Sequence, residues 1–141
     1  LDSPDWRPTG ADRPAPFVAW DAPHLPFPEV ASLVEARGAT RLEAAVARDQ
    51  AARDEDYRRL DAAVVGITGA HAALADTGSV VLVHGDGRPR LASLLPPVHV
   101  ALVTVDRLHA TLGALWREQP DMLRQAANVV LVTGPSRTAD I

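Results

Sequence analysis

Ala62-Ala63-Val64-Val65-Gly66-Ile67-Thr68 is the stretch that decides how this chain folds. It is short, apolar and rich in β-branched side chains, with no polar residue before Thr68. A half-exposed strand alternates apolar and polar residues, so an unbroken run of this length predicts a strand covered on both faces. Three similar runs follow at residues 79–83, 98–105 and 128–133. Helical patterns lie between them. Residues 69–75 suit a turn and a short helix. Asp106 can cap a helix reaching Trp116, with Leu108, Leu112 and Leu115 on one side, and Pro120-Asp121 opens another. His84-Gly85-Asp86-Gly87 has the composition of a tight turn. Strands alternating with helices predict an α/β domain with both sheet faces covered.

Upstream, residues 29–37 read as a short helix ended by Gly38. Thr40 and Glu43 have capping-box spacing, and the amphipathic pattern of Leu42, Val46, Arg53, Tyr57 and Leu60 predicts one helix from there to residue 60. Seven of the 12 prolines lie at or before residue 28. That excludes a long helix and predicts an extended arm, residues 1–28, with one strand candidate at residues 17–20 that covers another element. Residues 29–141 then form a single α/β domain.

The composition bounds the chemistry. The 141 residues fit one domain, and a net charge of −4 gives no basic footprint for nucleic acid. No run of 18 apolar residues predicts a membrane span, and the first residues show no signal-peptide pattern, so a cytoplasmic location is expected. There is no cysteine, which excludes thiol catalysis, disulfides and an iron–sulfur cluster held by the chain's own thiolates. All 14 basic residues are arginine, which excludes Schiff-base chemistry and a Walker A lysine. None of the five histidines forms a zinc-binding pair, so no metal site is expected.

Two polar strings remain. In the first, Thr68 closes a strand, and Asp76, Thr77, Gly78 and Ser79 form a turn whose hydroxyls and backbone could bind an oxygen-rich ligand, or could simply lead into the next strand. Asp76 is a weak candidate general base, and His71 is the histidine best placed for acid–base work. His99, inside an apolar run, reads as a core residue. Asp76-Thr77-Gly78-Ser79 also matches the aspartic-protease signature, but the helical patterns contradict that all-β fold. In the second string, Gly134, Ser136, Arg137 and Thr138 follow the last strand. Backbone N–H groups, two hydroxyls and a guanidinium make an anion cradle there, with Arg137 as a bidentate clamp; a surface loop is the alternative.

Residues 65–70, 73–82, 90–100 and 134–141 together resemble the LUD domain family, the lactate-utilisation proteins of the LutC and YkgG type. The resemblance lies in about residues 61–141 and keeps the family's order and spacing. It implies a Rossmann-like three-layer sheet, similar to the glucosamine-phosphate isomerase, ribose-phosphate isomerase and CoA-transferase group. It implies an accessory role in oxidising L-lactate to pyruvate beside iron–sulfur partner subunits, which agrees with a chain that has no cysteine. A small anion is the expected ligand. An independent enzyme acting on a phosphorylated sugar or acyl donor, and a non-catalytic interaction module, are the competing expectations.

Overall fold

Residues 15–134 are described by the structure, a computed structural model. The deciding run becomes β3 (Val65–Gly69), an interior strand of a parallel sheet. Its neighbours are β1 (Pro16–Ala19) and β6 (Val98–Leu102), and the two-residue β2 (Thr40–Arg41) completes the order β2-β1-β3-β6. Phe17 is in register with Val65, and Val65 with Val98. The proline-rich stretch, expected as a cover, thus supplies an interior strand. Pro16 sits at its first position, where a missing N–H is tolerated, and Phe17, Val18 and Trp20 are buried.

The remaining strands form a second sheet, β7-β4-β5-β8, from β4 (Ala72–Leu74), β5 (Ser79–His84), β7 (Leu108–His109) and β8 (Asn128–Val132). Here β5 runs antiparallel to both β4 and β8. The strands therefore divide between two sheets where one was expected. Apolar runs say nothing of strand direction, and the expected two-sided cover holds for β3 and β5 but not for the edge strands β6 and β8, where Val98, Val100 and Leu131 are exposed. The α/β class stands, with helices α1 (Val30–Glu35), α2 (Gln50–Asp61), α3 (Leu91–Leu94), α4 (Leu112–Glu118) and α5 (Met122–Gln125).

Three helix expectations are corrected. Residues 69–75 are not a turn and helix: His71 N–H donates to Val81 O at 2.8 Å and Ala75 N–H to His109 O at 2.9 Å. Strand pairing there outweighs the helix preference of an alanine-rich segment. Thr40 lies in β2 and caps nothing; α2 starts ten residues later, where the Asp49 carboxylate accepts from Ala52 N–H at 3.1 Å. Asp106 lies in a 3-10 turn, Val105–Arg107, and α4 is capped by Thr111, whose hydroxyl accepts from Ala114 N–H at 3.1 Å.

The core has two parts. One gathers Phe17, Val18, Trp20, Leu60, Ile67 and Leu82 around the parallel sheet. The other packs Leu74, Val81, Val83, Leu115 and Met122 between the second sheet and helices α4 and α5. Trp20, just beyond β1, meets His84 at the end of β5 edge-to-face, with ring centroids 5.8 Å apart.

Candidate functional site

Three parallel strands, β1, β3 and β6, end on the same cleft. Trp20 follows β1, Gly69 and Ala70 close β3, and Thr104, Asp106 and Arg107 follow β6. Ligands of open α/β sheets collect outside such carboxyl ends. The cleft has a volume of about 830 Å³, within the ~300–1,000 Å³ usual for small-molecule sites. Its far wall is built from the second sheet and α4: His71, Arg88, His109, Glu118 and Gln119. A smaller cavity of about 390 Å³ shares His71, Val83, Arg88, Glu118 and Gln119 with it.

Backbone close approach shapes the rim. A Cβ on Gly69 would lie 2.4 Å from His24 O, so only glycine lets the 3-10 turn at Ala22–His24 settle on the end of β3. Asp21 N–H then donates to Gly87 O at 2.9 Å, tying this turn to the one carrying Arg88.

The polar groups of the cleft have defined partners. His71 Nε2–H donates to Gln119 Oε1 at 2.6 Å. His109 Nδ1 lies 3.2 Å from Glu118 Oε2. Arg107 donates to Ala70 O at 3.4 Å. The Thr104 hydroxyl beside the Asp106 carboxylate, together with the acid's own backbone N–H, holds Asp106 below its usual pKa, and Arg107 acts in the same direction. Arg88 Nε is buried with no hydrogen-bond partner among the described residues. The cleft thus brings the guanidinium groups of Arg88 and Arg107 beside the imidazoles of His24, His71 and His109.

The residues singled out from the sequence lie elsewhere. Thr68 is fully buried in β3, its Oγ1 2.9 Å from Nε2 of His99, whose pKa is lowered by burial. Asp76, Thr77 and Gly78 are exposed at the turn between β4 and β5, where Gly78 adopts φ +66° and its N–H donates to Leu74 O at 2.9 Å. Ser79 is buried, 2.7 Å from Thr77 Oγ1 on one side and 2.7 Å from Thr133 Oγ1 on the other. The antiparallel β5–β8 pairing therefore brings the end of the first polar string beside the start of the second, since Gly134 follows Thr133. Ser136, Arg137 and Thr138 lie outside the described residues. None of Thr68, Asp76, Thr77, Gly78, Ser79 or Gly134 lines the cleft; His71 does. The missed residues, Arg88, Asp106, Arg107, His109 and Glu118, carried one usable signal: Asp106-Arg107 follows an unbroken apolar run, which marks a strand's carboxyl end. Among the described residues no three acidic or histidine side chains gather as a metal site, and no helix is long and apolar enough to cross a membrane.

The sequence model of the LUD domain matches residues 16–141. The chain belongs to the LUD domain family. Lactate utilization protein C of Bacillus licheniformis is 34% identical over 97 residues, covering 66% of this LUD chain and 40% of that protein. Lactate utilization protein B of Shouchella clausii is 39% identical over 67 residues, covering 48% of this chain and 13% of that one. The chain thus spans less than half the length of either relative. The crystal structure of a DUF162 family protein from Deinococcus radiodurans shares the fold, with a TM-score of 0.52 at 22% identity over 89% of this chain and 81% of that one.

Proposed function

We propose that this LUD chain is a LutC-like component of lactate utilisation that binds a small carboxylate in the cleft at the ends of β1, β3 and β6. Two guanidinium side chains in one cleft, Arg88 and Arg107, carry the reading. Similarity to lactate utilization proteins B and C supports the metabolic role and a system of several subunits. Iron–sulfur partners would carry the electrons, since this chain has no cysteine. A cytoplasmic location goes with that role. The parallel sheet β2-β1-β3-β6 is the part that would share the Rossmann-like layout of the isomerase and CoA-transferase group.

The segment Gly134, Ser136, Arg137, Thr138 stands as a separate candidate anion contact, on its chemistry and because Gly134 follows Thr133, the last of the Thr77–Ser79–Thr133 hydroxyls, with Asp76 as its candidate general base. Thermal unfolding decides between the two. A carboxylate at 100 times its dissociation constant adds about 2.7 kcal/mol, raising the midpoint by about 9 °C. With L-lactate or pyruvate, the rise is expected in the wild type and in Arg137→Ala and lost in Arg107→Ala. The reverse pattern would move the site to the segment after β8. No rise with either ligand would overturn anion binding and favour a module that only grips a partner.

A further inference from the structure

Two adjacent residues at the end of α4 hold two different imidazoles of the cleft. Glu118 Oε2 lies 3.2 Å from Nδ1 of His109, and Gln119 Oε1 accepts from Nε2 of His71 at 2.6 Å. A carboxylate and an amide oxygen both accept, so each fixes a proton on the nitrogen it meets. His109 is held with its proton on Nδ1, and His71 with its proton on Nε2. The opposite nitrogens, His109 Nε2 and His71 Nδ1, are then acceptors in the neutral rings. The His109 side chain is only 8% exposed and lines the cleft, whereas the Glu118 side chain is 62% exposed. Glu118 lines the cleft at its exposed edge and orients the His109 ring from there.

Around these acceptors stand the donors Arg88 and Arg107, together with His24 and Asp106. The cleft thus offers guanidinium N–H groups to a carboxylate and imidazole lone pairs to a hydroxyl. A 2-hydroxy acid carries both partners. A 2-oxo acid carries a carbonyl oxygen in place of the hydroxyl, which leaves the imidazole acceptor facing another acceptor.

Resting on the proposed carboxylate site, we infer that His109, positioned by Glu118, selects 2-hydroxy acids over their 2-oxo counterparts by accepting the hydroxyl proton in a hydrogen bond, with His71 and Gln119 as the parallel pair. An unmet buried hydrogen bond is worth a discrimination of about tenfold.

The test measures equilibrium binding of L-lactate, pyruvate and propionate to the wild type, His109→Phe and Glu118→Ala, alongside ¹⁵N NMR of the imidazoles. Expected are a preference of about tenfold for lactate over both others, its fall to within about twofold in either variant, and weak carboxylate binding that survives in both. In the spectrum, neutral His109 is expected as the Nδ1–H form, losing that preference in Glu118→Ala. Glu118 is exposed, so this variant serves if His109→Phe fails to fold. Equal binding of all three ligands to the wild type would overturn the selectivity and leave the carboxylate site standing. Binding of none would overturn both. A lactate preference that survives Glu118→Ala, or a His109 signal in the Nε2–H form, would overturn the role of the pair.

Discussion

At Gly66 the carbonyl oxygen of Ala92 lies 1.7 Å from where a Cβ would stand. No rotamer relieves that clash, because the obstacle is the backbone of α3. Gly66→Ala is expected to cost roughly 3 kcal/mol, read as a lower urea midpoint at unchanged slope. An unaltered midpoint would mean that α3 can move off β3 freely. His84 makes a second single-residue prediction. Burial lowers its pKa below the usual 6.5, and the positive charges of Arg90 and Arg88 push the same way, against the Asn128 side chain. The unfolded chain takes up a proton below pH 6.5 that the folded chain resists. Stability therefore falls as pH drops through and below 6.5, by up to about 1.4 kcal/mol per pH unit from this group, and is unaffected by it above pH 7.5. Burial moves His99 in the same direction. Urea midpoints that do not differ between pH 8 and pH 5.5 would contradict this.

Caps decide where the helices begin, and they separate what the sequence conveys from what it hides. Asp49→Ala is expected to remove about 1 kcal/mol, and Thr111→Ala a similar amount, since each side chain satisfies a first-turn N–H. Thr40→Ala removes no cap and is expected to fall within about 0.5 kcal/mol of the wild type. Equal losses at Thr40 and Asp49 would reinstate the longer helix. Thr40 with Glu43 has the right spacing, yet the segment between them and Asp49 is fixed by distant partners: Arg59 donates to Glu43 O at 2.7 Å, and Ala47 N–H donates to the Asp56 carboxylate at 2.9 Å. Such contacts run from α2 back to the loop, and a local pattern does not contain them. The apolar runs of β3 and β5 were legible because burial on both faces leaves a mark in composition alone; those of β6 and β8 read as strands through their β-branched residues, although they are half-exposed edge strands. β4 was not, because Ala72-Ala73-Leu74 favours helix until His71 and Ala75 find strand partners.

Across the whole molecule, Trp20 ties the two sheets together: its ring packs on His84 of the second sheet, and its Nε1–H donates to Pro89 O at 3.2 Å. One cooperative transition is therefore expected, with tryptophan fluorescence and far-UV circular dichroism coinciding in urea. Trp20→Ala is expected to cost about 3–5 kcal/mol. Separate transitions by the two probes would show that the sheets fold independently. The cleft was hard to see from the sequence for a related reason. His71 was legible as a candidate, but Arg88, His109 and Glu118 sit on three elements that only the antiparallel packing of β5 and the β4–β7 pairing bring to the ends of the parallel strands. The same antiparallel geometry lines up Thr77, Ser79 and Thr133, and Ser79 has a single hydroxyl proton to share between two neighbours 2.7 Å away. If it points to Thr133, Thr77 must point to Ser79; if it points to Thr77, Thr133 must point to Ser79. The three dipoles thus reverse together or not at all. A charge placed at one end sets the orientation at the other, making this row a two-position latch with no moving backbone.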